Sequence, residues 1–410
     1  MEYITAVPVK LETAALTKPR HRIRSIDILR GVIMILMALD HTRDFFHDVA
    51  LQWQPTDLTK TNGILFFTRW ITHYCAPVFI FLAGISAFLY GTKTSSVQLR
   101  TFLLSRGIWL IVAELFIVGL TWTFDPLYRS FFLQVIWAIG CSMVILSLLI
   151  RLPLAINLLI GTFFVFSKDL LQTFPAPTRE PIKTVLNMLV NGEFQPIAIN
   201  DHSTVTVMYA ILPWTGVMIL GYCIGRLYGE RISAQKRRNV LLGIGISLTS
   251  LFVVLRFINQ FGDPSPWITQ ESKLFTLISF FNVSKYPPSA IYLCMTLGPA
   301  FIFLSLIERV RNNMTQWLSV FGKTPFFFYI LHFVMIHALC TILFFMEGRS
   351  WAEALDMKAM MKFYFRPADF GYNLGIVYAI WFFVIVALYQ PCKWFAAFKR
   401  KNTWWGWKYL

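Results

Sequence analysis

Ile26-Asp27-Ile28-Leu29-Arg30-Gly31-Val32-Ile33-Met34-Ile35-Leu36-Met37-Ala38-Leu39-Asp40-His41-Thr42-Arg43-Asp44 makes two demands that few folds meet together. Its interior is an apolar run fit for a bilayer. Its flanks carry charge. At about 100° per residue, Asp27, Arg30, Met34, Met37, His41, Asp44 and Asp48 share one helical face at alternating spacings of three and four. Arg30 and His41 then differ by about 20° in azimuth and about 16 Å in height. A charged side chain at mid-bilayer costs roughly 2.5–3.5 kcal/mol on insertion scales. Several on one face are tolerable when that face turns to protein or to a wet cavity. The plain alternative puts Asp27 and Arg30 in one headgroup layer and the Asp40–Asp48 cluster in the other. A buried functional site containing His41 is the fuller account of the line.

The rest of the chain supports a membrane setting. Of 410 residues, 56% are hydrophobic and 14% charged, and the mean hydropathy is +0.58. A soluble domain needs about a quarter of its residues charged to cover its surface. An ordinary soluble enzyme and a disordered chain are therefore excluded. The net charge is +16 and the pI about 9.7. The cations come in short clusters between apolar runs, the pattern of cytoplasmic loops rather than of a nucleic-acid groove. The six cysteines lie in or beside apolar runs and form no CxxC pair, so neither a disulfide framework nor a metal site is expected.

Ten apolar segments follow one another, at 28–48, 64–90, 101–123, 131–150, 152–167, 205–227, 239–259, 288–307, 324–346 and 373–391. Most have the 18–25 residues of a spanning helix, and period-2 alternation is absent. With the N-terminus inside, 22 Lys and Arg fall on inner segments and 11 on the longer outer ones, which fixes both termini as cytoplasmic. The expected fold is an all-α polytopic membrane protein, a single bundle of about ten helices. Residues 1–26 form a basic cytoplasmic tail without the apolar core of a cleaved signal. Residues 27–395 form the transmembrane domain. Residues 396–410 form a second cytoplasmic tail whose Trp404-Trp405-Gly406-Trp407-Lys408-Tyr409 is an interfacial anchor. The outer loops 168–204, 260–287 and 347–372 carry no recognisable motif beyond Asn282-Val283-Ser284, a glycosylation pattern common by chance.

Other polar residues stand inside the apolar segments. Arg69 and His73 are i,i+4 neighbours placed to meet Asp44 or Asp48 in an ionic cluster, a structural role as well supported as a catalytic one. Arg100 and Arg106 open the third segment, either as plain inner-loop cations or as phosphate ligands. Glu114, deeper, calls for a partner such as Arg30 or Arg106. His332 and His337 lie five residues apart, about 140° around a helix, so at most one faces a given cavity. A hydrogen-bonded packing role is open for each.

These motifs resemble a known superfamily. Ile26-Asp27-Ile28-Leu29-Arg30-Gly31 with His41 is similar to the first-helix signature of the transmembrane acyltransferases, acyltransferase-3 among them. Phe79-Ile80-Phe81-Leu82-Ala83-Gly84 resembles their second-helix block, with Ala83 in place of Ser. Tyr329-Ile330-Leu331-His332-Phe333 resembles their late Tyr-Leu-x-His block. With Leu39-Asp40-His41-Thr42-Arg43-Asp44 and Cys75-Ala76-Pro77-Val78-Phe79, the nearest branch is the heparan-α-glucosaminide N-acetyltransferase catalytic domain. The animal lysosomal enzymes of that branch have Asn at the position of His41, which leaves the catalytic group open between His41 and a neighbour such as His73.

The resemblance implies transfer of an acetyl group from cytosolic acetyl-CoA to a glycan or amino-sugar acceptor beyond the membrane. It implies a place in the inner (cytoplasmic) membrane of a bacterium, with no metal and no nucleic-acid partner. Self-association is left open. Arg30 and Arg106, with Asp27 beside them, are the expected cofactor-binding residues. His41, Asp44, Asp40, His73 and His332 are the catalytic candidates. His41 is the base or acyl carrier. Asp44, at i+3, is the better-placed orienter, while Asp40 points about 100° away and needs a partner from another helix. Two readings compete: a proton-coupled permease, which the lack of an internal repeat and the crowding of charge in the first three helices disfavour, and a scaffold of the same fold without activity.

Overall fold

The computed structural model describes residues 22–171, 179–192, 194, 196–355, 363–402 and 404–408. Most of the basic tail at 1–26, including Lys10, Lys18 and Arg20, lies outside the described residues. The chain is almost wholly helical. The opening segment is one helix, α1 (Arg24–Phe46). Next come α2 (Gly63–Thr72), capped by the Asn62 side chain, and α3 (Cys75–Gly91). A Ser95–Gln98 capping box starts α4 (Ser96–Ala113), which satisfies two amides that the first turn leaves without partners. That helix widens into a π turn at Glu114–Val118 and runs on as α5 (Gly119–Thr123). The strand β1 (Ser130–Leu133) leads into α6 (Val135–Leu149), α7 (Leu154–Val165), α8 (Ser167–Leu171) and α9 (Glu180–Leu186). Then follow β2 (Pro196–Ala198), β3 (Thr204–Val207), α10 (Ile211–Ile224), α11 (Ala234–Ile258) and α12 (Lys273–Phe281). The last are α13 (Ala290–Ile307), α14 (Asn313–Lys323), α15 (Pro325–Met346), α16 (Trp351–Ala354) and α17 (Leu374–Lys401).

Among the described residues seven helices are long and apolar enough to cross a membrane. The polytopic all-α fold expected from the sequence is the fold observed, and the protein is an integral membrane protein. Three of the ten apolar segments differ from those seven. In α1 the reason is charge, and in α6 and α7 it is length, 15 and 12 residues. Two segments also begin otherwise than expected. Residues 130–133 and 204–207 pair as parallel strands, with 196–198 antiparallel beyond, in the order β1-β3-β2. Alternating Thr and Val at 204–207 suits a half-buried strand better than a first helical turn.

The charge on α1 is tolerable because α1 is interior. It packs on α14 and α15, with α17, α3, α13 and α2 around it. The apolar windows of α11 and α17 are only 22% buried, which places those helices on the lipid-facing rim. Close approach to α14 rests on a glycine pair. A Cβ on Gly31 would lie 1.9 Å from the Leu318 carbonyl oxygen, and one on Gly322 would lie 1.8 Å from that of Asp27. Gly84 of α3 and Gly221 of α10 meet in the same way. Small residues at such crossings let backbones touch, which matters where lipid supplies no hydrophobic drive. The far end of α1 is closed by the loop before α17. Tyr372 pairs with Phe46 and Asp48 through the backbone, and the buried Arg366 guanidinium donates to the His47 carbonyl at 2.7 Å. A cation there suits the carbonyl end of a helix.

Candidate active site

The polar line on α1 is present in part. Arg30 and His41 each keep some accessible surface, but Met34 and Met37 between them are buried, at 0% and 7% exposure. The line is thus two polar stations joined by an apolar stretch.

The station near the C-terminal end of α1 is a histidine pair. His41 Nδ1 lies 2.7 Å from His332 Nε2, and the rings are 5.0 Å apart at 25°. His332 Nδ1 lies 3.1 Å from the Phe328 carbonyl oxygen four residues back on α15. A carbonyl only accepts, so His332 Nδ1 carries the proton and its Nε2 has a lone pair. His41 Nδ1–H then donates to that lone pair, and His41 Nε2 is left with a lone pair of its own. Phe333 stacks on His41 at 4.3 Å, and Trp122 and Tyr329 stand edge-on at 5.5 and 6.2 Å. The ring is fixed on three sides. His332 alone of the two late histidines reaches it. His337 lies instead between the carbonyls of Thr121 and Tyr364, at 3.2 and 2.8 Å.

The carboxylates are arranged otherwise than the helical wheel suggests. Asp44, expected to orient His41, bonds Arg43 at 2.6 Å; the orienting contact comes from His332. The reason is local. Arg43 reaches Asp40 at i−3, at 2.8 Å, as well as its neighbour Asp44, so both carboxylates turn towards it. Asp40 does find its partner on another helix. Arg69 Nη1 donates to both its oxygens, at 2.6 and 2.8 Å, and Thr72 adds a hydroxyl at 2.8 Å. Arg69 therefore meets Asp40 rather than Asp44 or Asp48. His73 is buried beside this cluster, edge-on to Tyr292 at 5.7 Å, with its backbone carbonyl accepting from the Tyr292 hydroxyl at 2.7 Å.

The station near the N-terminal end of α1 centres on Arg30. It donates to Ser86 Oγ at 2.8 Å and to the Gly322 carbonyl at 3.3 Å, and Asp27 lies 3.5 Å away. Asp27 also pairs with Arg22 at 2.8 Å. Beside them, at the end where α1 starts and α17 stops, is a cavity of about 1750 Å³. Arg22, Arg24, Lys93, Lys323, Lys393 and Arg400 are among its lining residues, with the rings of Trp317 and Tyr389 and no carboxylate among the described residues. Counting charges assigns these residues to inner loops; only the fold gathers them on one wall. Arg106 packs over the Phe102 ring at 5.9 Å and is an electrostatic neighbour of Lys399, which lines the cavity. Glu114 meets neither arginine: its Oε1 accepts the Gln134 amide at 3.0 Å, because the π turn swings the side chain towards the start of α6.

No curated protein matches the chain. A family model described as heparan-alpha-glucosaminide N-acetyltransferase, catalytic, matches residues 22–256. The match takes in α1 to α11, with His41, Arg30 and the Asp40–Arg69 pair, and stops before the helix that carries His332. It covers more than half of the chain. With the helical membrane fold and the station built on His41, it establishes that the chain belongs to the heparan-alpha-glucosaminide N-acetyltransferase catalytic-domain family.

Proposed function

We propose that this chain moves an acetyl group from acetyl-CoA to an amine or hydroxyl of a sugar on the opposite side of the membrane, with His41 as the general base. The observation that carries this is the His41–His332 contact of 2.7 Å. With its Nδ1 proton engaged, His41 presents Nε2 as a proton acceptor. The acceptor nitrogen or oxygen bonds to the thioester carbonyl carbon while Nε2 takes its proton. The C–S bond breaks, and the proton passes to the departing sulfur, which leaves as the CoA thiol. Such proton transfer contributes typically 10²–10⁴-fold in rate.

Two further features support the reading. The basic cavity, with no carboxylate among its described lining residues, offers guanidinium and ammonium groups for the nucleotide phosphates of the donor, and Trp317 and Tyr389 offer rings for its base. Arg30 stands between that cavity and the histidine pair, held by Ser86 and Gly322. Met34 and Met37 lie on the route from one station to the other, and Met is the apolar side chain that yields most readily to a narrow chain. Asp27 acts here as the anchor of Arg22 and Arg30.

The test is acetyl transfer by purified protein in lipid nanodiscs, with His41→Ala and His332→Ala compared with the parent at equal insertion. Loss of acetyl transfer in His41→Ala with acetyl-CoA binding retained is the expected result. Full activity in His41→Ala would remove His41 from the chemistry.

A further inference from the structure

Two hydrogen-bond donors beside His41 are buried without an ordinary partner among the described residues: the Tyr329 hydroxyl and the Trp122 indole nitrogen. Tyr329 stands three residues before His332 on α15, so the two side chains share a face. Its ring is 5.5 Å from that of His332 and 6.2 Å from that of His41. Trp122 comes from α5, which packs on α15 just beyond the π turn, and its ring is 5.5 Å from that of His41. Both residues are buried, at 1% and 5% exposure. The Trp122 N–H faces the Tyr329 hydroxyl oxygen, short of full hydrogen-bond geometry. The hydroxyl therefore lies on the side where both rings flank His41.

Buried tyrosine and tryptophan usually find a partner for their polar atom, and a buried donor left without one is costly. Packing does not explain the Tyr329 hydroxyl, since Phe would fill the same volume without it. Glu114 is an electrostatic neighbour of Tyr329. Its Oε1 accepts the Gln134 amide and its Oε2 has no partner, so it does not take the phenolic proton.

The other polar groups near His41 are engaged or face away. His332 gives its N–H to the Phe328 carbonyl. Asp40 and Asp44 are held by Arg43 and Arg69. Arg43 Nε and Nη1 are also without partners, but Arg43 follows His41 by two positions, about 200° round α1. Lys285, buried beside Tyr209, is hydrogen-bonded to Tyr286. The Tyr329 hydroxyl is the free donor on the His41 side, with the Trp122 N–H behind it.

Acyl transfer has a use for a donor at that place. As the acceptor nitrogen or oxygen bonds to the thioester carbonyl carbon, the C=O π pair moves onto the carbonyl oxygen. That oxygen is an anion until the C–S bond breaks and C=O forms again. His41 carries the acceptor's proton to the sulfur, which leaves the anion uncovered. A donor held in a dry site where this charge develops is worth far more than the same donor in water.

We infer that Tyr329 is a further catalytic residue, its hydroxyl donating to the thioester carbonyl oxygen as negative charge develops there. Trp122 is a positioning residue: its N–H is aimed at the Tyr329 oxygen, which turns the phenolic proton towards the substrate. Both roles rest on the acyl-transfer reading above.

The experiment reads the carbonyl directly. Full-length protein in nanodiscs is loaded with acetyl-CoA isotope-labelled at the thioester carbonyl, and infrared difference spectra follow its C=O stretch in the parent, Tyr329→Phe and Trp122→Phe. Acetyl transfer to glucosamine and melting temperature are measured alongside. In the parent the stretch should fall below that of free acetyl-CoA, and Tyr329→Phe should return it to the free position. Tyr329→Phe should lower kcat by about 10²–10³-fold, as loss of one oxyanion donor does, with donor KM and melting temperature close to the parent. Trp122→Phe keeps a ring and loses the N–H; it should give an intermediate stretch and a smaller fall in kcat at unchanged KM. A stretch in the parent equal to that of free acetyl-CoA overturns the inference, as does a parental stretch or a parental kcat in Tyr329→Phe. A lower melting temperature in Tyr329→Phe with kcat unchanged would assign the hydroxyl to the fold instead. Parental values in Trp122→Phe would overturn the part given to Trp122. A stretch lowered through Tyr329 with no acetyl transfer would sink the acyl-transfer reading while the hydrogen bond to the donor stands.

Discussion

His41 and His332 are 291 positions apart in the chain and 2.7 Å apart in space. That contact fixes the tautomer of His41 from a helix the family match does not reach. If the two act as one unit, their loss is not additive. His41→Ala is expected to reduce acetyl transfer by about 10²–10⁴-fold. His332→Ala should cost a part of that, and the double variant should be no slower than His41→Ala alone. Steady-state rates for the four proteins check this. Independent, multiplying losses would show that His332 does not work through His41.

Asp40 is the hub of the ion cluster beside this pair. It is bound by Arg69, Arg43 and Thr72. Removing it leaves two buried guanidiniums short of a counter-charge. Asp40→Ala is expected to destabilise the fold by about 3–5 kcal/mol. Asp40→Ala with Arg69→Met should be milder than Asp40→Ala alone, since the second change withdraws one of the stranded charges. Thermal unfolding in a single detergent measures both. A double variant at least as unstable as the single would mean that packing, not charge, is what Asp40 supplies.

Much of this arrangement is legible in the sequence, for physical reasons that can be named. The apolar runs are long, so their helices follow from bilayer thickness. The spacing of Arg30, His41 and Asp44 follows from helix geometry alone. What is not legible depends on neighbours. A wheel places Asp44 near His41, but Arg43 lies between them in the chain and draws both carboxylates to itself. Glu114 reads as the partner of an arginine until the π turn carries it to the Gln134 amide. The short strands at 130–133 and 204–207 are hidden because each is joined to an apolar helix. Lys285 counts as one more outer-loop cation, and nothing near it in the chain announces that it is buried beside Tyr209.

The α1–α14 crossing has little slack. A Cβ at Gly31 or Gly322 would fall 1.9 or 1.8 Å from a backbone oxygen, and a backbone cannot swing aside as a side chain can. Gly31→Leu is expected to cost at least the roughly 1–3 kcal/mol of ordinary overpacking. Because the Gly322 carbonyl also holds Arg30, it should weaken acetyl-CoA binding too. Gly243, whose Cβ would meet nothing within 4 Å, supplies the control: Gly243→Leu should leave melting temperature and donor affinity close to the parent. A Gly31→Leu protein as stable as that control would contradict the close crossing.

The cavity where α1 starts and α17 stops gives the last prediction, and it separates binding from chemistry. Lys323 and Lys393 line it, and both are remote from the His41–His332 pair. If they attract the donor's phosphates in the ground state and the transition state alike, reversing their charge removes uniform binding. That raises KM and leaves kcat in place. Lys323→Glu with Lys393→Glu is expected to raise KM for acetyl-CoA by about tenfold or more at low salt. The gap should narrow as added salt screens the field over about 10 Å at 0.1 M. The acceptor KM should not move, because the His41–His332 pair lies towards the opposite end of α1. Rates measured against each substrate at two ionic strengths decide the matter. A fall in kcat at unchanged donor KM would place these lysines outside donor binding and would leave the basic cavity to some other anion.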